Sequence, residues 1–336
     1  MIRIPITIGC CLVVSAAMAA GPLTGSGIDP VRDTAPRDSL VLAGPPSVVS
    51  FPLFRMAEAG ALMPWTRKVT FQFWTSGEQL RALLANQQAD FAAVPVHMPA
   101  NLQARGVAVK LVSVSAWGVH WLVSSDPAVH SLDDLKGQEL VVPLRREMPG
   151  ILIDELMRAR NWKEGVDLKI VAVRDFQAAA NMLLTGRARH ALLAEPSVAA
   201  LFVRLREQHG VKLYRAQSLR QAWAESFPKQ PEVPQSGLMA SSRSAEDQAL
   251  TQAVGQAYAQ SAQWCKAHVA DCAELAHRYL PQMPVAALAE AIAHSPLDVR
   301  PASQVRSQLE AFYRLVSQRA PELIGGRMPS EAFYQP

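Results

Sequence analysis

Polar and charged side chains follow several of the short apolar runs that this sequence predicts to be strands. Arg145 and Arg146 follow one such run, and a guanidinium fork suits a sulfonate, phosphate or carboxylate group. Glu195 follows another run, where a carboxylate needs a partner: a ligand amine, an arginine or a helix N-terminus. Hydroxyl side chains come after two earlier runs and either contact an anion or simply cap a helix: Ser47, Ser50, Thr75 and Ser76.

Aromatic and imidazole side chains complete the set of candidate ligand contacts. Trp74 follows a predicted strand directly and would be exposed unless another segment covers it. Trp223 could close over a bound molecule, with packing as the alternative. His97 and His120 have no partners at metal-ligand spacing, so we expect them to be structural, with their hydrogen bonds satisfied. The remaining candidates are His97, Ser115 and Trp117.

Motifs for catalysis do not occur in the sequence. We find no G-x-S-x-G elbow, Walker loop, H-E-x-x-H or C-x-x-C pattern. We therefore predict no catalytic residue, no metal and no cofactor. An exported enzyme built on a plain carboxylate pair leaves no motif and stays an alternative.

The elements that position these residues alternate between strand and helix. The first run, 39–43, is continuously apolar, as expected of a strand buried on both faces of a parallel sheet. A strand–helix–strand–helix–strand order follows, which is typical of an open α/β sheet. The predicted strands are 39–43, 69–73 and 91–94, and the predicted helices are 54–61 and 78–86.

A similar unit returns 100 residues later in the chain. Residues 69–95 align with 169–196: the paired leucines 83–84 match 183–184, and both units end on a short apolar run before proline. A shared order of elements with matched turn positions predicts two similar lobes, each with its own sheet. The first helix of the second lobe is predicted at 150–160, preceded by Pro149 at a plausible first helical position.

Two stretches would carry the chain between the lobes. The long strand-like run 110–124 leads out of the first lobe, and 237–241 leads back. We therefore predict lobe one at 39–118, lobe two at 119–236, and a return to lobe one with C-terminal helices at 237–336. Hinge bending is expected near 116–121 and 236–240.

The N-terminal residues have the pattern of a signal peptide. One positive charge, Arg3, precedes an apolar run that ends in Ala17-Met18-Ala19. A membrane anchor and a lipoprotein modified at Cys10 are the alternatives. We predict a signal peptide at 1–19 cleaved near Ala19, a disordered leader at 20–38 and a periplasmic mature protein. The formal charge of +4, without a basic block, gives no support for nucleic-acid binding.

Two cysteines remain after the predicted cleavage, Cys265 and Cys272. On one unbroken helix they would lie about 10 Å apart, too far for a disulfide. A bridge therefore needs a turn near 267–270, and in an oxidising compartment we favour that disulfide over two buried thiols.

The order of these motifs resembles the nitrate/sulfonate/taurine branch of periplasmic solute-binding proteins of ABC transporters. The resemblance rests on DDLKGQELVVP at 133–143, on the helix-to-strand turns LLANQQADFAAVP and LLTGRARHALLAEP, and on the helical stretch 264–276. Two positions depart from the pattern: Gly44-Pro45-Pro46-Ser47 in the first loop, and His190 in place of Asp.

The resemblance implies a two-lobed, type II periplasmic binding protein fold with mixed or parallel sheets and a helical C-terminal region. It further implies capture of a small solute and its delivery to an ABC-type permease. We expect the solute to be anionic or aromatic and the protein to be a monomer. A sensor subunit for a membrane receptor, or an enzyme of pyrimidine-type metabolism, is the alternative. Ligands in open α/β sheets bind beyond the carboxyl ends of the strands, which selects the loops that carry the candidates above.

Overall fold

The strands of the computed structural model lie close to the predicted positions. The structure describes residues 35–208, 211–295 and 297–335, so the predicted signal peptide and most of the predicted leader lie outside the described residues. The strands of these ranges are β1 (Leu40–Gly44), β2 (Val69–Phe73), β3 (Phe91–Pro95), β4 (Lys110–Ala116), β5 (His120–Ser124), β6 (Gln138–Pro143), β7 (Leu168–Val173), β8 (His190–Ala194), β9 (Tyr214–Ser218), β10 (Ser236–Ala240) and β11 (Arg300–Pro301).

The helices surround these strands and fill most of the C-terminal third. They are α1 (Phe51–Glu58), α2 (Gly77–Ala85), α3 (His97–Ala104), α4 (Met148–Ala159), α5 (Phe176–Leu184), α6 (Ser197–Gln208), α7 (Leu219–Ser226), α8 (Gln248–Ala267), α9 (Val269–Tyr279), α10 (Val285–His294) and α11 (Arg306–Arg319). Helix α1 begins earlier than predicted because Pro52 fits the first turn of a helix. Helix α3 was not predicted, since no apolar stripe marks it in the sequence.

Two mixed sheets share one plan. The first has the order β11-β4-β10-β3-β1-β2, and the second has the order β7-β6-β8-β5-β9. In the first sheet β1 pairs in parallel with β2 and β3, and β10 runs antiparallel to β3. In the second sheet β6 pairs in parallel with β7 and β8, and β5 runs antiparallel to β8. The predicted α/β fold with two mixed sheets is confirmed, and the aligned segments occupy equivalent places in the two sheets.

The chain passes between the sheets at two points. The predicted long run 110–124 is two strands, β4 in the first sheet and β5 in the second. Gly118 lies between them, where a Cβ atom would approach the Cβ of Arg220 to 2.6 Å. Strand β10 returns the chain to the first sheet between β3 and β4. We call residues 117–119 the first passage and the segment that leads into β10 the second passage, and the place where they meet the junction between the sheets.

The C-terminal helices pack against both parts of the molecule. Helix α11 contributes Leu309, Phe312 and Val316 to a core that also contains residues of the second sheet. The Tyr313 hydroxyl of the same helix donates a hydrogen bond to the Val96 carbonyl, 2.9 Å away, after β3. Within the described part of the chain, no helix is both long and apolar enough to cross a membrane.

The predicted disulfide is confirmed. Helix α8 ends at Ala267 and α9 begins at Val269, so the break falls inside the predicted turn. It brings the Cα atoms of Cys265 and Cys272 to 5.0 Å, within the range of a disulfide. Both cysteines are buried in the core of α1, α8 and α9.

The histidine that departs from the family pattern lies far from the carboxyl ends of the strands. His190 begins β8, and its two ring nitrogens contact Ser124 Oγ at 3.0 Å and Gln138 Oε1 at 2.8 Å. Its counterpart Asp90, just before β3, is buried and accepts a hydrogen bond from the Val41 N–H. Both residues join strands at the amino edge of a sheet, so this departure does not bear on a ligand at the other edge.

Candidate functional site

The junction between the sheets lies at the carboxyl edges of both. Strand β10 begins at Ser236, which is paired with Pro95 at the carboxyl end of β3. Strand β5 begins at His120, which is paired with Ala194 at the carboxyl end of β8. The residues that pass between the sheets therefore lie at the two edges where open α/β sheets bind ligands. The loops at these edges are 45–50, 74–76, 96–97, 144–147, 174–175 and 195–196.

Gln235 holds this junction together, and the sequence analysis did not single it out. Its N–H donates to the Ala116 carbonyl at 2.9 Å, and its carbonyl accepts from the Val96 N–H at 3.0 Å. Its side-chain oxygen accepts from the Val119 N–H at 3.0 Å. This one buried residue, directly before β10, thus bonds to the first passage on either side of Gly118 and to the loop after β3. An isolated glutamine in a Pro-rich segment carries no motif by which it could have been found.

Two buried histidines flank Gln235, and they correct the expectation that these imidazoles are fully hydrogen-bonded. His97, the first residue of α3, is 6% exposed, and His120 is 8% exposed. The Nδ1 atom of each ring is buried without a hydrogen-bond partner. Burial lowers the pKa of both rings to about 4, opposed at His120 by a hydrogen bond with the Gln235 side chain. Both rings are therefore neutral at neutral pH.

An aromatic side chain borders the same place. The ring of Phe176, at the start of α5, stacks on His120 with centroids 5.8 Å apart. Phe176 is only half-buried, so one part of this stack is accessible. The predicted loop 174–176 thus reaches the junction through its phenylalanine, while the Arg174 side chain is 87% exposed and pairs with Asp175.

The predicted hydroxyl contacts divide into capping and structural roles, with one exception. Ser76 accepts a hydrogen bond from the Gln79 N–H and caps α2, while the Thr75 hydroxyl donates to Gln79 Oε1 at 3.1 Å. Ser50 is buried and donates to the Pro45 carbonyl. Ser47 is half-buried and its side chain makes no cap bond, so its hydroxyl remains open to a ligand.

The three tryptophans and Ser115 are held by contacts within the protein. Each indole is buried and donates its N–H to a backbone carbonyl: Trp74 to Ala93, Trp117 to Asp298 and Trp223 to Gln230. Ser115 is buried, and its Oγ lies 3.2 Å from the hydroxyl of Tyr258, which donates to it. These contacts give all four side chains a packing role.

The two predicted arginines lie in different environments, one ion-paired and the other exposed. Arg145 binds Asp154 through both terminal nitrogens, each at 2.8 Å, and also binds Glu164 at 2.9 Å. These contacts raise the pKa of Arg145 and neutralise its charge. The loop requires Gly150, because a Cβ atom there would lie 1.9 Å from the Arg145 carbonyl oxygen. Arg146 is exposed.

Glu195 lies at the carboxyl end of β8. Of the partners considered for it, the structure shows an arginine and a helix N-terminus. Its buried carboxylate binds Arg215 at 2.9 Å and accepts a hydrogen bond from the Ala199 N–H at 3.0 Å, at the start of α6. Burial raises the pKa of Glu195, and the charge of Arg215 opposes that rise. Arg215 also binds Glu290 of α10 at 2.6 Å, so this network joins α6 to the C-terminal helices.

The described residues contain no group of three or more histidine, cysteine, aspartate or glutamate side chains that could hold a metal ion. The arginines at these loops are paired with carboxylates, apart from the exposed Arg146. The chemistry left at the junction is therefore that of neutral hydrogen bonds: two imidazoles, a serine hydroxyl and free N–H groups at helix N-termini.

Comparison with known proteins gives structural neighbours only. No family model and no curated protein matches the chain. An ABC transporter protein from Parabacteroides distasonis is similar at 20% identity and a TM-score of 0.74, covering 89% of this chain and 99% of that one. The periplasmic aliphatic sulphonate binding protein SsuA from Escherichia coli is similar at 16% identity and a TM-score of 0.64, covering 87% and 93%.

A third neighbour is the periplasmic nitrate-binding protein NrtA from Synechocystis, at 15% identity and a TM-score of 0.56, covering 75% of this chain and 69% of that one. The chain has the fold of periplasmic solute-binding proteins. The resemblance drawn from the motifs is thereby confirmed at the level of the fold. In this chain the junction around Gln235 lies at the carboxyl edges of both sheets.

Proposed function

We propose that the protein is an exported solute-binding protein that holds one small molecule between two lobes and delivers it to an ABC-type permease. The observation that carries this proposal is the pair of buried, unpartnered imidazole nitrogens at the junction of the sheets. Buried polar atoms in native proteins nearly always have a hydrogen-bond partner. The structural similarity to substrate-binding proteins supports the same conclusion.

The mechanism we propose is hinge closure. The two passages, at 117–119 and next to Gln235, are short, and each sheet with its helices moves as a rigid lobe. The lobes would follow the predicted boundaries, 39–118 and 119–236, with 237–336 returning to the first. Closure brings the loops of both carboxyl edges onto the solute and forms the surface that a permease reads.

The solute is small and either anionic or aromatic. An anion is supported by the helix N-termini at these edges, which attract negative charge, and by the sulfonate and nitrate that neighbouring structures are described as binding. An aromatic group is supported by the half-buried Phe176 against His120. Neither group requires a catalytic residue, and we propose that the protein converts nothing.

Thermal unfolding in the presence of candidate solutes tests this function. A solute at 100 times its Kd stabilises the protein by about 2.7 kcal/mol, which raises the Tm by about 5 °C for a chain of this size. We expect one member of a panel of sulfonates, nitrate, carboxylates and pyrimidines to do so and to be recovered unchanged. A panel that leaves the Tm unmoved contradicts solute capture. Consumption of the solute shows an enzyme instead, and a neighbouring kinase gene without a permease gene favours the sensor.

A further inference from the structure

The side chain of Arg300 contacts both passages at the junction between the sheets. Arg300 is the first residue of β11, which pairs with β4 of the first sheet. Its guanidinium carbon lies 4.4 Å from the ring centroid of Trp117 in the first passage. Its two terminal nitrogens bind the two carboxylate oxygens of Glu232, in the second passage, at 2.7 and 2.8 Å. One side chain of the first lobe thus holds both passages.

The backbone beside Arg300 holds the first passage as well. The Asp298 N–H donates to the Ser115 carbonyl at 3.0 Å, and the Trp117 indole N–H donates to the Asp298 carbonyl at 2.8 Å. The Asp298 carboxylate accepts a hydrogen bond from Arg300 Nε at 2.8 Å. Trp117 is buried, so the first passage is tied to the first lobe as far as this residue.

Further along the first passage and earlier in the second, the attachments are to the second lobe. The Val119 carbonyl accepts a hydrogen bond from the Glu195 N–H, after β8, at 3.0 Å. The Gln230 carbonyl accepts one from the indole N–H of Trp223, on α7, at 3.0 Å. Helix α7 packs against β5 and β9 of the second sheet. Each passage is therefore bonded to one lobe at one end and to the other lobe at the other end.

The attachment changes lobes at one short point in each passage. In the first passage this point is Gly118–Val119, because the Val119 N–H still bonds to Gln235 while its carbonyl bonds to the second lobe. In the second passage the point lies between Gln230 and Glu232. Motion of two rigid lobes is absorbed by the few residues between such attachments.

The point in the second passage precedes β10 rather than lying within it. Strand β10 is paired with β3 and with β4 along its length, which holds 236–240 in the first sheet. A groove of about 350 Å³ is lined by 229–232 and by the first turn and a half of α11. This groove gives the segment before β10 room to bend.

A second arginine faces the same carboxylate from the other lobe. Arg220 Nη2, on α7, lies 3.8 Å from Glu232 Oε1, too far for a hydrogen bond. Arg220 also packs against the first passage, since a Cβ atom on Gly118 would lie 2.6 Å from its Cβ. Glu232 thus lies between one arginine of each lobe and is bonded to that of the first, Arg300.

We propose that Arg300 is a positioning residue of the hinge: it fastens both passages to the first lobe and confines bending to Gly118–Val119 and to the residues between Gln230 and Glu232. This inference rests on the proposed hinge closure. A guanidinium suits the role because its fork binds a carboxylate with two bonds while its face stacks on an indole. Without Arg300 the two passages move independently, and the unliganded lobes sample a wider range of separations.

Hydrogen exchange, followed by NMR on the unliganded protein, tests the fastening. We expect Arg300→Met to speed exchange of the Asp298 and Gln235 N–H groups by about 5- to 10-fold, the loss expected for a bidentate ion pair partly shielded from solvent. Glu232→Gln should speed exchange at Gln235 and leave Asp298 unchanged, because it frees the second passage alone. Adding Glu232→Gln to Arg300→Met should not speed exchange at Gln235 further, since both substitutions remove the same contact.

Arg306→Met is the matched control. Arg306 also stacks on an aromatic ring, with its guanidinium carbon 5.2 Å from the centroid of Tyr334, and binds two carboxylates, Glu310 at 2.7 Å and Glu331 at 2.9 Å. None of these partners belongs to a passage. The control should leave exchange at Gln235 as in the wild type, and equal exchange in Arg300→Met and Arg306→Met overturns the inference.

Spin labels on the two lobes test the motion itself, which a purely structural role of Arg300 would not change. Ala82→Cys on α2 and Gln177→Cys on α5 provide exposed label sites, and the disulfide-bonded native cysteines do not react. Electron–electron distance measurements on the unliganded protein should show a broader distribution, shifted to longer separations, for Arg300→Met than for Arg306→Met. Equal distributions overturn the inference even when exchange is faster. If Arg300→Met does not fold, Glu232→Gln decides, because it must broaden the distribution while it keeps the stack on Trp117.

Failure of this inference differs from failure of the proposed function. If the solute panel leaves the Tm of the wild type unmoved while Arg300→Met broadens the distance distribution, solute capture fails and the role of Arg300 stands. If a solute stabilises the wild type and Arg300→Met has the distribution of the control, solute capture stands and the inference is wrong.

Discussion

Substitution of His120 should change how the stability of the unliganded protein depends on pH. Burial lowers the pKa of His120 from 6.5 to about 4 in the folded protein. The unfolded chain therefore binds more protons than the folded one between these two values, and acid favours unfolding there. The stabilisation is complete above pH 6.5 and is lost as the pH falls towards 4.

The magnitude follows from the size of the shift. A difference of about 2.5 pKa units corresponds to about 3 kcal/mol, at 1.36 kcal/mol for each unit. We expect the stability of the wild type, measured relative to His120→Asn, to fall by about 3 kcal/mol between pH 7 and pH 4. All other titrating groups are common to both proteins and largely cancel in this difference.

Urea unfolding of both proteins at pH 7, 6, 5 and 4 provides the measurement, with equal m-values as the check that the same transition is compared. The change should be concentrated between pH 6.5 and 4 and level off below. A difference in stability that stays constant within about 0.5 kcal/mol over this range would refute the burial of a neutral imidazole at position 120.

Three further sets of substitutions test contacts that stabilise the fold. Arg215→Met leaves the buried carboxylate of Glu195 without its partner and should lower the free energy of unfolding by about 3–5 kcal/mol, with partial recovery when Glu195→Gln is added. An effect below about 1 kcal/mol in urea unfolding contradicts the network. Replacing Cys265 and Cys272 by alanine opens a seven-residue separation and should cost about 2.5 kcal/mol by calorimetry without changing solute affinity, whereas a loss of affinity would place the disulfide in the site. Gly118→Ala puts a Cβ atom 2.6 Å from a neighbouring side-chain carbon and should cost about 1–3 kcal/mol; unchanged thermal stability speaks against tight packing at the passage.

The fold could be predicted from local sequence patterns because each lobe repeats a short strand–helix–strand unit. Apolar runs, turn residues and the spacing of Cys265 and Cys272 are all readable within a few residues of chain. The division of 110–124 into two strands could not be predicted in this way, because an apolar run does not reveal that its two halves enter different sheets. Gly118 was its local sign, and only the packing of Arg220 shows why glycine is needed there.

The candidate site could be predicted less well from the sequence, because ligand contact depends on which polar atoms the rest of the protein leaves without a hydrogen bond. The carboxyl-edge rule selected loops that the structure places at the carboxyl edges, yet most of the polar side chains in them bond within the protein: Ser76 caps a helix, and Arg145 and Glu195 form ion pairs. The histidines were assigned a satisfied structural role from their isolation in sequence. Their unpartnered nitrogens, and the central place of Gln235, arise from segments more than 100 residues apart and are visible only in the folded chain.

Mass spectrometry of the protein purified from its native cells, under native and then denaturing conditions, tests the central claim most directly. Solute capture predicts one small molecule for each chain in the native spectrum, released on unfolding and bound again, chemically unchanged, by the stripped protein. A native mass equal to the bare chain, together with no rebinding of any compound from the solute panel, or recovery of the molecule in altered form, would contradict it.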